Sequence, residues 1–167
     1  SLDPIDGTYC YKHGIRKDYG VITSIVERTG KKYGRFISGI MYYPECDKYI
    51  LADPDGVFLV YTYDRIKIEK NDFDKFDRKS YSAINNHDKK RLQLRTDDFV
   101  NDIFSLTQAT FQMVSCEISG FITSNGHVFD HLVSAYILER FGYDCVYANI
   151  TKFGKIPFGD EIKNGKR

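Results

Sequence analysis

An α+β protein is expected from three features of the 167-residue chain. Short strand-like runs joined by tight turns fill the first 68 residues, charges of both signs crowd residues 69–95, and apolar residues recur at helical spacing beyond them. These features predict a small antiparallel, barrel-like (SH3-like) lobe over residues 1–68 and a charged connector over 69–95. An α/β lobe over 96–167, with two helices packed on a short sheet, completes the expectation.

The elements follow in order. Residues 19–28 (YGVITSIVER) are β-branched and stop at Thr29-Gly30-Lys31-Lys32; residues 33–43 (YGRFISGIMYY) follow, so the two runs read as a hairpin. Residues 48–52 meet Asp53-Pro54-Asp55-Gly56, and residues 57–63 (VFLVYTY) leave it. Proline presets φ for such a turn, aspartate bonds its own backbone, and glycine accepts positive φ, so these runs should pair antiparallel. Residues 65–69 (RIKIE) alternate and add a short strand. In the second half, Thr96 reads as an N-cap, with Asp97 and Asp98 at the positive end of a helix that carries Phe99, Val100, Ile103, Phe104 and Leu106. The β-branched and aromatic content of residues 111–123 (FQMVSCEISGFIT) predicts a strand, and Ser124-Asn125-Gly126 breaks it. Helical spacing returns over 127–141, Gly142 sits where a left-handed terminal residue belongs, and residues 144–150 form a further strand. Strand, helix and strand at this spacing suggest a βαβ-like unit, with helices packed on an antiparallel sheet as the alternative.

Composition narrows the function classes. Hydrophobic residues make up 42% and charged residues 28%, too apolar for a disordered chain. The 13 tyrosines and 12 phenylalanines cannot all be buried, because a buried phenol needs a partner, so some rings must meet solvent or a ligand. A net charge of +1 gives no overall basic excess. Cys10, Cys46, Cys116 and Cys145 form no Cys-x-x-Cys pair, which argues against a zinc ribbon or redox motif, and all four are expected to stay reduced. No apolar run approaches the length that spans a bilayer, and the chain is expected to be cytoplasmic. The opening Ser1-Leu2-Asp3-Pro4 reads as an artificial start.

Two clusters could carry function. In the first half, Lys12, Arg16 and Lys17 precede the first long strand, and Lys31, Lys32 and Arg35 surround its turn, interleaved with Tyr33. Cations and flat rings along one edge suit phosphate pairing and base stacking, so the leading expectation is a non-catalytic binder of nucleic acid, or of a nucleic-acid-associated protein, without a cofactor. The rival class is a metal-dependent hydrolase or nuclease centred on His127, Asp130 and His131. On a helix the two histidines lie one turn apart, within about 40° of each other, with reach for one divalent ion, and Asp130 could be a third ligand or orient a ring. Asp130 and Ser134 extend this polar stripe, while Phe129, Leu132, Val133 and Tyr136 would pack inward. The spelling is similar to the inverted zinc-protease motif, but aspartate replaces its longer glutamate. Phe129-Asp130, Leu132-Val133, Leu138-Glu139 and 142–146 (GYDCV) also resemble the opening helix and strand of restriction-endonuclease-like nucleases. That resemblance implies magnesium held by an Asp and a Glu-x-Lys; here Asp160-Glu161 could stand for the Asp, and Glu161-Ile162-Lys163 lies in a terminal glycine-rich stretch.

Overall fold

Turn chemistry at Asp53 shows how the first sheet is made. The Asp53 carboxylate accepts a hydrogen bond from the Asp55 amide at 2.8 Å, and Gly56 takes φ 141°, so the chain reverses there. Strands β4 (Lys48–Asp53) and β5 (Gly56–Val60) pair antiparallel across this turn, as the sequence predicts. The computed structural model describes residues 2–14, 18–28, 34–61, 64–69, 81–83, 99–102, 105–123, 128–145, 147–149 and 154–156.

Around that hairpin runs an antiparallel meander: β1 (Leu2–Asp6), β2 (Gly20–Arg28), β3 (Gly34–Tyr43), β4, β5 and β6 (Arg65–Ile68), neighbours in sheet and in sequence. A six-residue helix, α1 (Thr8–His13), links β1 to β2. The expected barrel does not form: the six-stranded sheet is open, with β1 at one edge and β6 at the other. The reason is what covers it. Helices α2 (Leu106–Val114) and α3 (Val128–Phe141) pack on one face, so Ile22, Met41, Ile50, Ala52 and Val57 are buried without the sheet closing on itself. Full burial of such aliphatic side chains stabilises the fold by about 1.5–3 kcal/mol each. Gly39 brings α3 close, since a Cβ there would stand 3.0 Å from Val133. The two helices therefore pack on this long sheet, where the sequence placed them on a separate short one. The connector at 69–95 falls almost wholly outside the described residues.

A second, parallel sheet has β7 (Tyr81–Ala83) between β8 (Phe99–Asp102) and β9 (Gly120–Ile122); β10 (Tyr147–Asn149) and β11 (Gly154–Ile156) form a separate ribbon. Two expectations are corrected here. Residues 99–102 are a strand rather than part of a helix, and of the strand expected over 111–123 only Gly120–Ile122 forms one, residues 111–114 belonging to helix α2. Ser105 caps that helix by accepting from the Gln108 amide at 3.0 Å. Nearly every α2 side chain is buried, its polar Thr107, Gln108 and Thr110 included. Cys116 at φ 57° reverses the chain after it.

Candidate active site

The end of β1 supplies the first functional group. β1 is bulged against β2: Asp3 lies opposite Ile22 and Asp6 opposite Gly20, three residues against two. The extra residue shifts the register so that Asp6 shares the face of Ile22, which α2 covers. Asp6 is buried there, and its Oδ2 accepts a hydrogen bond from the Thr107 amide at 2.7 Å. That amide is in the first turn of α2, where free N–H groups and the helix dipole favour an anion. Gly7 follows at φ 83°, and a Cβ there would fall 2.6 Å from the Asp18 carbonyl, so the chain can leave Asp6 only through glycine.

Helix α3 supplies the second. Thr110 of α2 and Ser134 of α3 share a hydrogen bond at 2.7 Å, and just past the end of α3 the Tyr143 hydroxyl donates to the Met113 carbonyl near the end of α2 at 3.0 Å. Both pairs advance together, so α2 and α3 run the same way and their N-termini lie at one end. One turn back from Ser134 is Asp130, and one turn back from Thr110 is Leu106, beside the Thr107 amide that holds Asp6. Asp130 is 7% exposed. Two carboxylates from strands and helices far apart in sequence are thus delivered to the same end of the core.

The residues singled out by sequence divide sharply. Asp130 and Ser134 are buried, so the polar stripe of α3 faces the protein interior, and Leu132 and Val133 are buried beside it. His131 is half-buried, and His127 lies outside the described residues. Among the described residues no three His, Cys, Asp or Glu side chains gather closely enough to hold an ion. Of the cationic edge, Lys12 is exposed on α1, and Arg35 is exposed and paired with Glu27 at 2.7 Å. Arg16, Lys17, Lys31, Lys32 and Tyr33 lie outside the described residues. Sequence reasoning missed Asp6, although Asp3-Pro4-Ile5-Asp6-Gly7-Thr8 carries a signal: two acids bracketing a proline, closed by a glycine that leads into a helix.

No protein-family profile matches the chain, and no curated protein matches it in sequence. Solved structures do. SuhB of Mycobacterium tuberculosis superposes with a TM-score of 0.68 at 19% identity, covering 97% of this chain and 68% of its own. A calcium-bound IMPase family protein from Staphylococcus aureus gives 0.65 at 18% identity, covering 86% of this chain and 54% of its own. An IMPase/NADP phosphatase complexed with Mg2+ and phosphate gives 0.62 at 17% identity, with 84% and 51% covered. The fold is that of the inositol monophosphatases. The chain spans about half to two thirds of the length of these structures.

The inositol monophosphatase fold overturns the nucleic-acid reading and the nucleic-acid partner with it. The proteins that share the fold include phosphatases, one with magnesium and phosphate and one with calcium, so an expectation of no cofactor finds no support among them. Among the described residues no helix is long and apolar enough to cross a membrane.

Proposed function

We propose that this chain carries a divalent-metal phosphomonoesterase site, with Asp6 and Asp130 as carboxylate ligands. The observation that carries the reading is the delivery of two buried carboxylates to one end of the core in an inositol monophosphatase fold. Burying an ionised carboxylate is costly unless it is hydrogen-bonded or paired with a cation, and two at one place raise the cost. Carboxylate oxygens suit hard cations such as Mg2+ and Ca2+. When bound, such an ion neutralises phosphate charge and acidifies a water molecule.

The chain's own residues do the positioning. The Thr107 amide holds Oδ2 of Asp6 at 2.7 Å and so orients the carboxylate. Asp130, in the first turn of α3, is held by the packing of α3 on α2 through Ser134 and Thr110. In the reaction water adds to phosphorus, the ester P–O bond breaks, and the alcohol leaves with a proton.

Two measurements test this. Mn2+ binding by electron paramagnetic resonance and phosphate release from p-nitrophenyl phosphate in Mg2+ should both be present in the wild type. Asp6→Asn and Asp130→Asn should each weaken the ion at least about tenfold, since each removes one charged ligand from a hard-cation site. A folded wild type that binds no Mn2+ at millimolar concentration and releases no phosphate would overturn the proposal.

A further inference from the structure

Beside Asp6 lies a contact that no hydrogen bond explains. Thr107 is fully buried, and its hydroxyl has no hydrogen-bond partner among the described residues. Buried hydroxyls are nearly always paired, so a side chain kept here without a bond is kept for its shape. Its shape meets Gly20. A Cβ built on Gly20 would lie 2.4 Å from Thr107 Cγ2 and 2.5 Å from its Cβ and Oγ1, distances that atoms do not adopt. Gly20 has no left-handed φ, so the demand for glycine is purely spatial. Gly20 is also the residue opposite Asp6 in the ladder.

We propose that Gly20 and Thr107 are positioning residues for Asp6: Thr107 seats in the space that Gly20 leaves, and this contact sets the height of α2 at which the Thr107 amide meets the Asp6 carboxylate. The inference rests on the reading of Asp6 as a metal ligand. The contact includes Thr107 Cβ itself, which no χ1 rotation moves, so the seat cannot be accommodated by a rotamer change. The hydrogen bond to Asp6 comes from the backbone and survives any substitution at 107; only its placement depends on the seat.

The test moves one methyl group across the contact. Gly20→Ala fills the seat and Thr107→Gly empties it, so each should displace the amide from Asp6. Each should lower Mn2+ affinity about tenfold, the usual cost of disturbing a group that orients a metal ligand. In the metal-free protein, the amide proton of residue 107 should move upfield in nuclear magnetic resonance spectra as its charged acceptor recedes. The double variant restores one side chain to the gap and should return Mn2+ affinity to within about threefold of wild type. Thr107→Val keeps the shape and drops only an unbonded hydroxyl, so affinity and amide shift should both be retained. A folded Gly20→Ala protein with unchanged affinity and amide shift would sink the inference, as would a double variant no better than the worse single. Should Gly20→Ala fail to fold, Thr107→Gly against Thr107→Val decides, and equal affinity refutes the seat. Wild type that binds no Mn2+ overturns the metal site and this inference together; normal binding with insensitive variants overturns this inference alone.

Discussion

Removing the Thr110 hydroxyl tests the helix packing on which the site depends. Thr110 is fully buried, and its Oγ1 lies 2.7 Å from the Leu106 carbonyl and 2.7 Å from Ser134 Oγ. A hydroxyl has a single proton. That of Thr110 goes to the Leu106 carbonyl, so Ser134 is the donor in the bond between the helices. Thr110→Val keeps the volume but turns the Ser134 proton toward a methyl group, at a residue only 2% exposed. A buried donor without a partner costs about 1–3 kcal/mol, and the variant should lose stability in that range. Ser134→Ala removes the donor instead and leaves the Thr110 proton satisfied, so its loss should lie nearer ~1 kcal/mol.

The double variant carries the decisive number. With both hydroxyls gone no donor is stranded, so the two losses should not add, and the coupling should be about 1 kcal/mol. Urea unfolding followed by circular dichroism measures all four proteins, and an unchanged m-value confirms that only stability moved. Losses that add to within about 0.5 kcal/mol would mean the hydroxyls do not bond. The parallel arrangement of α2 and α3 would then lose one of the two contacts that define it.

Three further outcomes are expected. Gly142 at φ 100° ends α3 with its amide on the Glu139 carbonyl and the Tyr143 amide on that of Leu138, so Gly142→Ala should cost about 1 kcal/mol in thermal unfolding and Gly142→Asn less. Burial, aided by Glu139 and Asp144, pushes the Cys145 thiol up to about 12 from an ordinary value of 9.0. The native state then keeps a proton that the unfolded chain releases, so stability is intact below pH 9.0 and falls as pH rises toward about 12; Cys145→Ala should flatten that fall in melting curves. Asp53→Ala removes both the bond to the Asp55 amide and the ion pair with Arg65, and should lower stability by about 1 kcal/mol in urea without affecting Mn2+ binding.

What the sequence disclosed was local. The turn at Asp53-Pro54-Asp55-Gly56, the hairpin of β2 and β3, and helix α3 with its terminal Gly142 all rest on chemistry within a few residues, and all stand in the structure. Sheet closure is not local. Whether six strands curl into a barrel depends on what covers their face, and here two helices from the far half of the chain do so. Helix α2 was hidden for a related reason: its polar side, Thr107, Gln108 and Thr110, faces the interior rather than solvent, and its β-branched and aromatic residues read as a strand. Asp130 could be singled out because it stands between two histidines one helical turn apart. Asp6 could not, because its partner at Thr107 is 101 residues away.

The lesson for finding such a site lies in where polarity is costly. Lysines and arginines at hairpin tips keep their hydration, so their clustering is cheap and weakly informative. Buried polar groups are the opposite: each displaces an apolar side chain that would have stabilised the core directly. Ten polar side chains are buried among the described residues, and seven of them (Asp6, Ser105, Thr107, Gln108, Thr110, Asp130 and Ser134) come from the end of β1, from α2 with its cap, and from the first half of α3. Packing alone gives no reason to concentrate them there, since the same helices bury Ala109, Met113, Val114 and Ile137 without difficulty. A core that turns polar where two helices begin and one strand ends is what the proposed metal site requires. Under the proposed reading, the buried carboxylates at that end would hold a cation, and the cation would in turn attract phosphate.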